Sequence, residues 1–319
     1  MNLTGSSGMQ ISKHKNCFRA LAAMCLGVSF ASASAQDSLP DNANPETNNL
    51  PEGSVSGMGD INLYPRRVII QGRQRTAQVG LFNRTANEGN YEINITEMAM
   101  TPSGQLVPLE QVTDQAVAQR VRSAKDMIRW SPKRLTLLGS ESQTIRLMAR
   151  PAPDTPPGEY RAHFVAISRP DSAVGGVSIE EAVGGNQARG IGVTIRPRFG
   201  ISIPVIVRIG ETTLKLGIQQ PDVVELPDGR SGLKLVLERD GTRSAYGDLL
   251  AYRENSKEPF LVARGIGIYP EIDSRTIMIP FELDETAEPI TRGEKLRVEF
   301  IDDDFAPGTK LAEAVFAAP

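Results

Sequence analysis

The sequence predicts an all-β protein: two β-sandwiches in series, with one short helix in the first. Three observations carry this. Apolar and polar residues alternate over short runs bounded by Gly, Pro, Asn and Ser, the pattern of half-buried strands and their turns. Aromatics are only 5% of a chain that is 40% hydrophobic, so the cores must rest on aliphatic side chains, with the strand formers Val and Ile prominent. The 29 Gly and 22 Pro suit many short strands and tight turns. A length of 319 residues fits two domains.

The elements follow in chain order. Lys13, His14, Lys15 and Arg19 precede the apolar run "ALAAMCLGVSFASASA", and Ala33-Ser34-Ala35 offers a small-x-small cleavage site. Residues 1–35 read as a cleavable export signal peptide, since the run is short for a span of about 20 residues. An uncleaved anchor and a start at Met9 stay open as alternatives. Residues 36–58, rich in Pro, Asn and Ser and without periodicity, read as a disordered lead-in. Strand patterns cover 61–70, 75–83 and 90–100. Residues 109–128 break the trend: Val112, Ala116, Val117, Val121 and Ala124 share one face at helical period, which predicts the single helix. Strands resume at 127–138, 142–150 and 159–168. Residues 169–190 carry two Gly pairs and read as a long loop, a length that is usually functional or disordered.

The next segment, "GIGVTIRPRFGISIPVIVRIG" at 190–210, is apolar at every odd position except Pro197. It is longer than the usual strand of about 5–6 residues. It closes a first domain of 59–208. Residues 209–319 form a second, with strand patterns in "TTLKLGIQQPDVVEL", "SGLKLVLERDG", "GDLLAYRE", "FLVARGIGIYP", "TIMIPFEL" and "KLRVEFIDDDF".

Several chemistries are disfavoured. Both cysteines, Cys17 and Cys25, lie in the leader, so the exported chain has no disulfide, thiolate metal site or thiol nucleophile. The leader also holds three of the 35 basic residues and none of the 38 acidic ones, so its removal takes the net charge from −3 to −6. Such a chain lacks the basic character of a nucleic-acid binder. His163 is the only histidine outside the leader, sits in an alternating strand, and reads as structural. Asp302-Asp303-Asp304 lacks the spacing and glycine of a calcium loop and reads as a solvated turn. Gly190-Ile191-Gly192 and Gly265-Ile266-Gly267 are fragments of no complete nucleotide fingerprint. Trp130 reads as core. No cofactor is called for, and the expectation is a protein that is not an enzyme.

Several pieces, in order, resemble the periplasmic pilus chaperones of the chaperone–usher pathway. "INLYPRRVIIQG" is similar to that family's first strand, with an arginine before an apolar run. "IRWSPKRLTLLGSESQTIRL" is similar to its central signature, and "PGEYRAHFVAISRP" to the strand before its long loop. The segment at 190–210 matches the strand after that loop. The pieces span most of 60–208; the second domain matches in size, position and β-character. The departures, including the long lead-in, suggest a divergent or archaic-type branch.

The resemblance implies two immunoglobulin-like domains in an L or boomerang arrangement, in the periplasm, without stable membrane insertion. It implies pilus or fimbrial subunits and an outer-membrane usher as partners, and leaves open a dimer in which the free protein caps its own strand. The implied mechanism is donor-strand complementation, a recognised case of strand addition. The lending residues would be Ile191, Val193 and Ile195, continued by Phe199 and Ile201. In this family two basic residues in the cleft between the domains hold the subunit's C-terminal carboxylate. Arg67 matches the first. Arg66 would point to the opposite strand face. The second, a lysine on the lending strand, aligns with Gly200; Arg198, two residues earlier on the same face, is the candidate to supply that charge. The rival readings are a structural or adhesive sandwich protein that lends no strand, and a sandwich enzyme with an unrecognised carboxylate pair.

Overall fold

The computed structural model of the protein describes residues 55–56, 61–169, 198–227, 229–281 and 289–319. The export signal, the loop at 169–190 beyond Arg169, and Ile191, Val193 and Ile195 lie outside them.

Two five-stranded sheets make the first sandwich. One contains β1 (Val55–Ser56), β2 (Ile61–Tyr64), β4 (Thr76–Asn83), β10 (Ser142–Ala149) and β8 (Ile128–Ser131), in the order β1-β2-β4-β10-β8. The other contains β3 (Val68–Gln71), β12 (Gly200–Ile209), β11 (Gly158–Arg169), β5 (Gly89–Thr96) and β9 (Arg134–Leu137), in the order β3-β12-β11-β5-β9. All pairings are antiparallel except β12 with β3. Alternation does what it predicts: Val79 and Leu81 of β4 and Ile145 and Leu147 of β10 meet Ile93 of β5, Phe164 of β11 and Ile203 of β12 in one core. Each such aliphatic side chain contributes about 1.5–3 kcal/mol on burial.

The second sandwich packs β13 (Leu214–Glu225), β14 (Ser231–Gly241) and β17 (Ser274–Pro280) on β16 (Leu261–Ile268), β15 (Ala245–Arg253), β18 (Lys295–Asp302) and β19 (Lys310–Ala317). Leu233, Leu235 and Leu237 of β14 face Leu249, Val298 and Phe300 across its core. β19 has only a weakly alternating pattern and was not predicted from it.

Three expectations are corrected. β1 pairs Val55 with Leu63 and Ser56 with Asn62, inside the stretch expected to be disordered. Residues 65–67 form a bend between β2 and β3 rather than strand, so the rule of alternating faces does not apply to Arg66 and Arg67. The helix, α1 (Gln115–Arg120), is one short piece flanked by 3-10 turns at Leu109–Gln111 and Lys125–Met127. Asp114 caps it, its carboxylate accepting from the Ala116 and Val117 amides. Of the five residues read as one face, Ala124 belongs to the first core and Val117 packs against the second, while Ala116 is exposed.

The hairpin of β6 (Met98–Met100) and β7 (Leu106–Pro108) rises from the first sandwich, and its Met100 is buried in the second core. At its tip Gly104 (φ +85°) lies so close to Arg275 that a Cβ there would clash with the guanidinium.

Candidate functional site

β12 has two edges with different fates. Along one it pairs with β11 throughout, from Ile209 opposite Gly158 to Gly200 opposite Ile167. Along the other, β3 covers only Val205–Arg208. Among the described residues no strand pairs with that edge at Gly200–Pro204. An uncovered edge presents backbone donors and acceptors to any incoming strand, although Pro204 has no N–H to offer. Upstream, Phe199 and Ser168 exchange hydrogen bonds, which prolong the β11–β12 contact by one residue.

The odd-numbered side chains of β12 share one face. Ile201, Ile203, Val205 and Val207 lie in the first core, Ile201 at 6% exposure. Ile201 therefore packs in its own sandwich, at the end of the row expected to be lent. Phe199, next in the same row, passes the end of the core and is 39% exposed.

Arg198 is exposed and lines a groove of about 680 Å3 on the outer face of this sheet, with Met98, Val165 and Ile167. The parallel register sets Val205 beside Val68, hence Pro204 beside Arg67. Pro204 and Arg198 are six positions apart along an extended chain, roughly 20 Å at about 3.3 Å per residue. The structure does not bring Arg67 and Arg198 together.

At its other end the outer face of this sheet is buried against the second sandwich. Even-numbered Tyr160, Ala162, Phe164 and Ala166 of β11 enter the first core, so Glu159, Arg161 and His163 must face outwards. All three are buried nonetheless, and Ile206 of β12, on the same face, belongs to the second core. Two ion-pair groups occupy this joint. In one, Arg208 Nε donates to Glu159 at 3.0 Å and its two Nη atoms donate to Asp304. Arg67 Nη2 donates to the same Asp304 carboxylate at 3.0 Å. Two arginines thus face two carboxylates, with side-chain exposures of 9% or less. Burial alone would lower the Arg208 pKa, but the hydrogen bond to Asp304 and the charge of Glu159 outweigh it and hold the guanidinium above its ordinary value. In the other group Arg161 grips Glu271 with both Nη atoms, under the Tyr269 ring at 3.6 Å. Glu271 also accepts from the Met100 amide, which ties down the β6–β7 hairpin.

Beside the first group lies a cavity of about 590 Å3, lined from both sandwiches. Tyr64, Arg66 and Arg67 come from the first; Tyr246, Asp248, Arg264 and Asp303 are among those from the second. Arg67 stacks 4.1 Å above the Tyr246 ring, and its Nε and Nη1 are buried without a hydrogen-bond partner. Arg66, expected to turn away, lines the same cavity.

Sequence reading missed most of this. In Asp302-Asp303-Asp304, expected to be a solvated turn, Asp302 is buried and the Asp304 side chain is enclosed, while Asp303 is exposed. Asp302 accepts from the amides of Asp304, Phe305 and Ala306 and shapes the turn that aims Asp304 at the arginines. The available signal was the occurrence of Glu159, Arg161 and Arg208 within otherwise apolar strands, where a charge needs a buried partner.

The fold and site together define a two-sandwich protein whose open strand edge runs into an arginine-bearing cleft. No known family's sequence profile matches the chain, and no curated protein matches it in sequence. Solved structures similar to it include those of pilus chaperones. The YadV chaperone is 14% identical with a TM-score of 0.41, over 81% of this chain and 100% of that one. The CsuC–CsuE chaperone–tip subunit complex from the archaic chaperone–usher Csu pili of Acinetobacter baumannii is 11% identical with a TM-score of 0.38, over 82% and 98%. The Salmonella enterica SafB chaperone in complex with the SafA pilin is 11% identical with a TM-score of 0.39, over 82% and 98%.

Proposed function

We propose that the chain is a periplasmic chaperone that holds and primes pilus subunits by donor-strand complementation before they reach an outer-membrane usher. The observation that carries this reading is the open edge of β12 at Gly200–Pro204, whose apolar row continues past the core at Phe199. Upstream the sequence continues the row at Ile195, Val193 and Ile191. A subunit lacking its last strand exposes an apolar groove and unpaired backbone groups, a template for aggregation. The lent strand supplies main-chain hydrogen bonds, and its alternate side chains fill the groove's pockets. At about 1.5–3 kcal/mol for each aliphatic side chain, three or four suffice to hold a subunit. One end of the bound strand then lies at the cleft, where Arg67 is the candidate to hold its terminal carboxylate.

The test is co-expression with a small pilin-like protein encoded beside the gene. A soluble 1:1 complex is expected. Val193→Asp with Ile195→Asp should abolish it while the circular dichroism and unfolding midpoint of the free chain stay unchanged. A complex that survives both changes rules out the lent strand.

A further inference from the structure

We infer that residues 98–127 are a clamp. They leave the first sandwich between β5 and β8, grip the second, and hold the two at one fixed angle. This goes beyond the chaperone reading and stands whether or not the chain lends a strand.

Two domains in one chain turn against each other unless the contact between them is large and apolar. The base of the clamp is closed on the first sandwich. Arg161 N–H donates to the Arg122 carbonyl at 2.8 Å, and Ala124 N–H donates to the Arg161 carbonyl at 3.0 Å. The returning chain thus docks on β11 beyond His163, where the pairing with β5 ends. The outgoing chain is held beside it, since Arg161 Nη2 donates to the Met98 carbonyl at 2.9 Å. Lys125 and Glu97 pair across the two roots at 3.2 Å.

Between these roots the segment reaches the second sandwich at three places. Met100 is 4% exposed and lies in the second core, and its amide donates to Glu271 at 2.7 Å. In the turn of the hairpin, the Pro102 carbonyl accepts from the Thr276 amide at 3.0 Å. Thr276 belongs to β17, the end strand of its sheet, so the hairpin tip occupies an edge that strand pairing leaves uncovered among the described residues. Arg120, the last residue of α1, donates to Asp273 with both Nη atoms and to the Pro270 carbonyl with one. Val117, on the same helix, packs against the second core.

These contacts differ in strength. Arg120 and Asp273 are 42% and 71% exposed, so water and salt screen their pair and it contributes little. The Met100 side chain is removed from water, and its amide meets a carboxylate that Arg161 also grips. The buried anchor therefore carries most of the grip. The ion pairs of Arg208 and Arg161 lie inside the joint. The clamp adds contacts outside it, at the exposed Thr276 and Asp273, and a contact away from the joint resists turning more effectively. A cleft fixed in this way is ordered before any partner arrives, so binding in it loses no free energy to ordering the sandwiches.

The test is the alignment of the two sandwiches in solution. Residual dipolar couplings of the backbone amides are measured on the exported chain in a neutral bicelle medium. The wild type should fit one alignment across both sandwiches. Met100→Ala with Arg120→Ala should lose it: each sandwich still fits an alignment of its own, and the two differ. Met100→Leu, of similar volume, should keep the common alignment. If Met100→Ala loosens the second core, that sandwich fits no alignment by itself, and Gly104→Val with Arg120→Ala takes its place. A Cβ at position 104 would stand 2.1 Å from Arg275 Nε, at a φ of +85°, so this variant lifts the hairpin off β17 and leaves both cores filled. The same loss is expected. A common alignment in either variant, with both sandwiches intact, overturns the clamp, and so does a wild type that already needs two.

Discussion

Asp304→Ala should destabilise the protein by about 3–5 kcal/mol, the cost of leaving buried charge without its partner. The Asp304 side chain is fully buried and accepts from both Arg67 and Arg208. Its removal leaves Glu159 as the only carboxylate facing two buried guanidinium groups. Arg208 then keeps Glu159 as its partner, and Arg67 is left with none of its own. Urea unfolding of the purified chain measures the loss. The double variant Asp304→Ala, Arg67→Ala should recover a measurable part of it, because one of the stranded charges is gone. Arg161 with Glu271 still ties the two sandwiches together in Asp304→Ala, so a single calorimetric transition at a lower midpoint is expected. A loss below about 1 kcal/mol would show that water reaches the joint and screens the pair, as it does for exposed ion pairs.

Acidification should weaken the fold through His163, by about 2 kcal/mol at pH 5. The ring is fully buried, neither nitrogen has a hydrogen-bond partner, and strand register places Thr96 and Pro204 at its sides. Burial first, and the Arg161 charge second, lower its pKa from 6.5 to about 3. The unfolded chain therefore binds a proton that the folded chain refuses. Stability is complete above pH 6.5 and falls towards pH 3 by about 1.4 kcal/mol per pH unit. Urea midpoints of the wild type and His163→Leu between pH 7.5 and 4.5 give the comparison. The wild-type curve should fall away from that of the variant below pH 6.5. Parallel curves over that range would mean that the histidine titrates freely.

Much of the architecture was legible because strand alternation is a local property. The predicted runs at 75–83, 142–150 and 159–168 match β4, β10 and β11 almost end to end, and the odd-residue row of 199–209 passes intact into β12. The helix was overestimated for a related reason. A helical period marks which residues are buried, not which core buries them, and Ala124 and Val117 go to different cores. β19 was missed because its burial is shallow along most of its length.

The site was less legible. Its apolar half is visible in the spacing at 191–209, but its charged half depends on partners far apart in the chain. Arg67 meets Asp304, 237 residues away, and Arg161 meets Glu271, 110 residues away. No local pattern distinguishes such an aspartate from one in a solvated turn.

The one-dimensional pattern of apolar and polar residues was enough for the all-β class, the strand positions and the unusual length of the apolar row ending in β12, since each depends only on neighbours two residues apart. Three matters were settled by packing alone. Ile201 packs in the chain's own core, Arg198 and Arg67 are set roughly 20 Å apart along β12, and Glu159, Arg161, His163 and Arg208 are buried on a face that one sandwich would leave to solvent. The reason is that a strand shows which residues share a face, while only the second sandwich, docked on that face, decides whether water remains there.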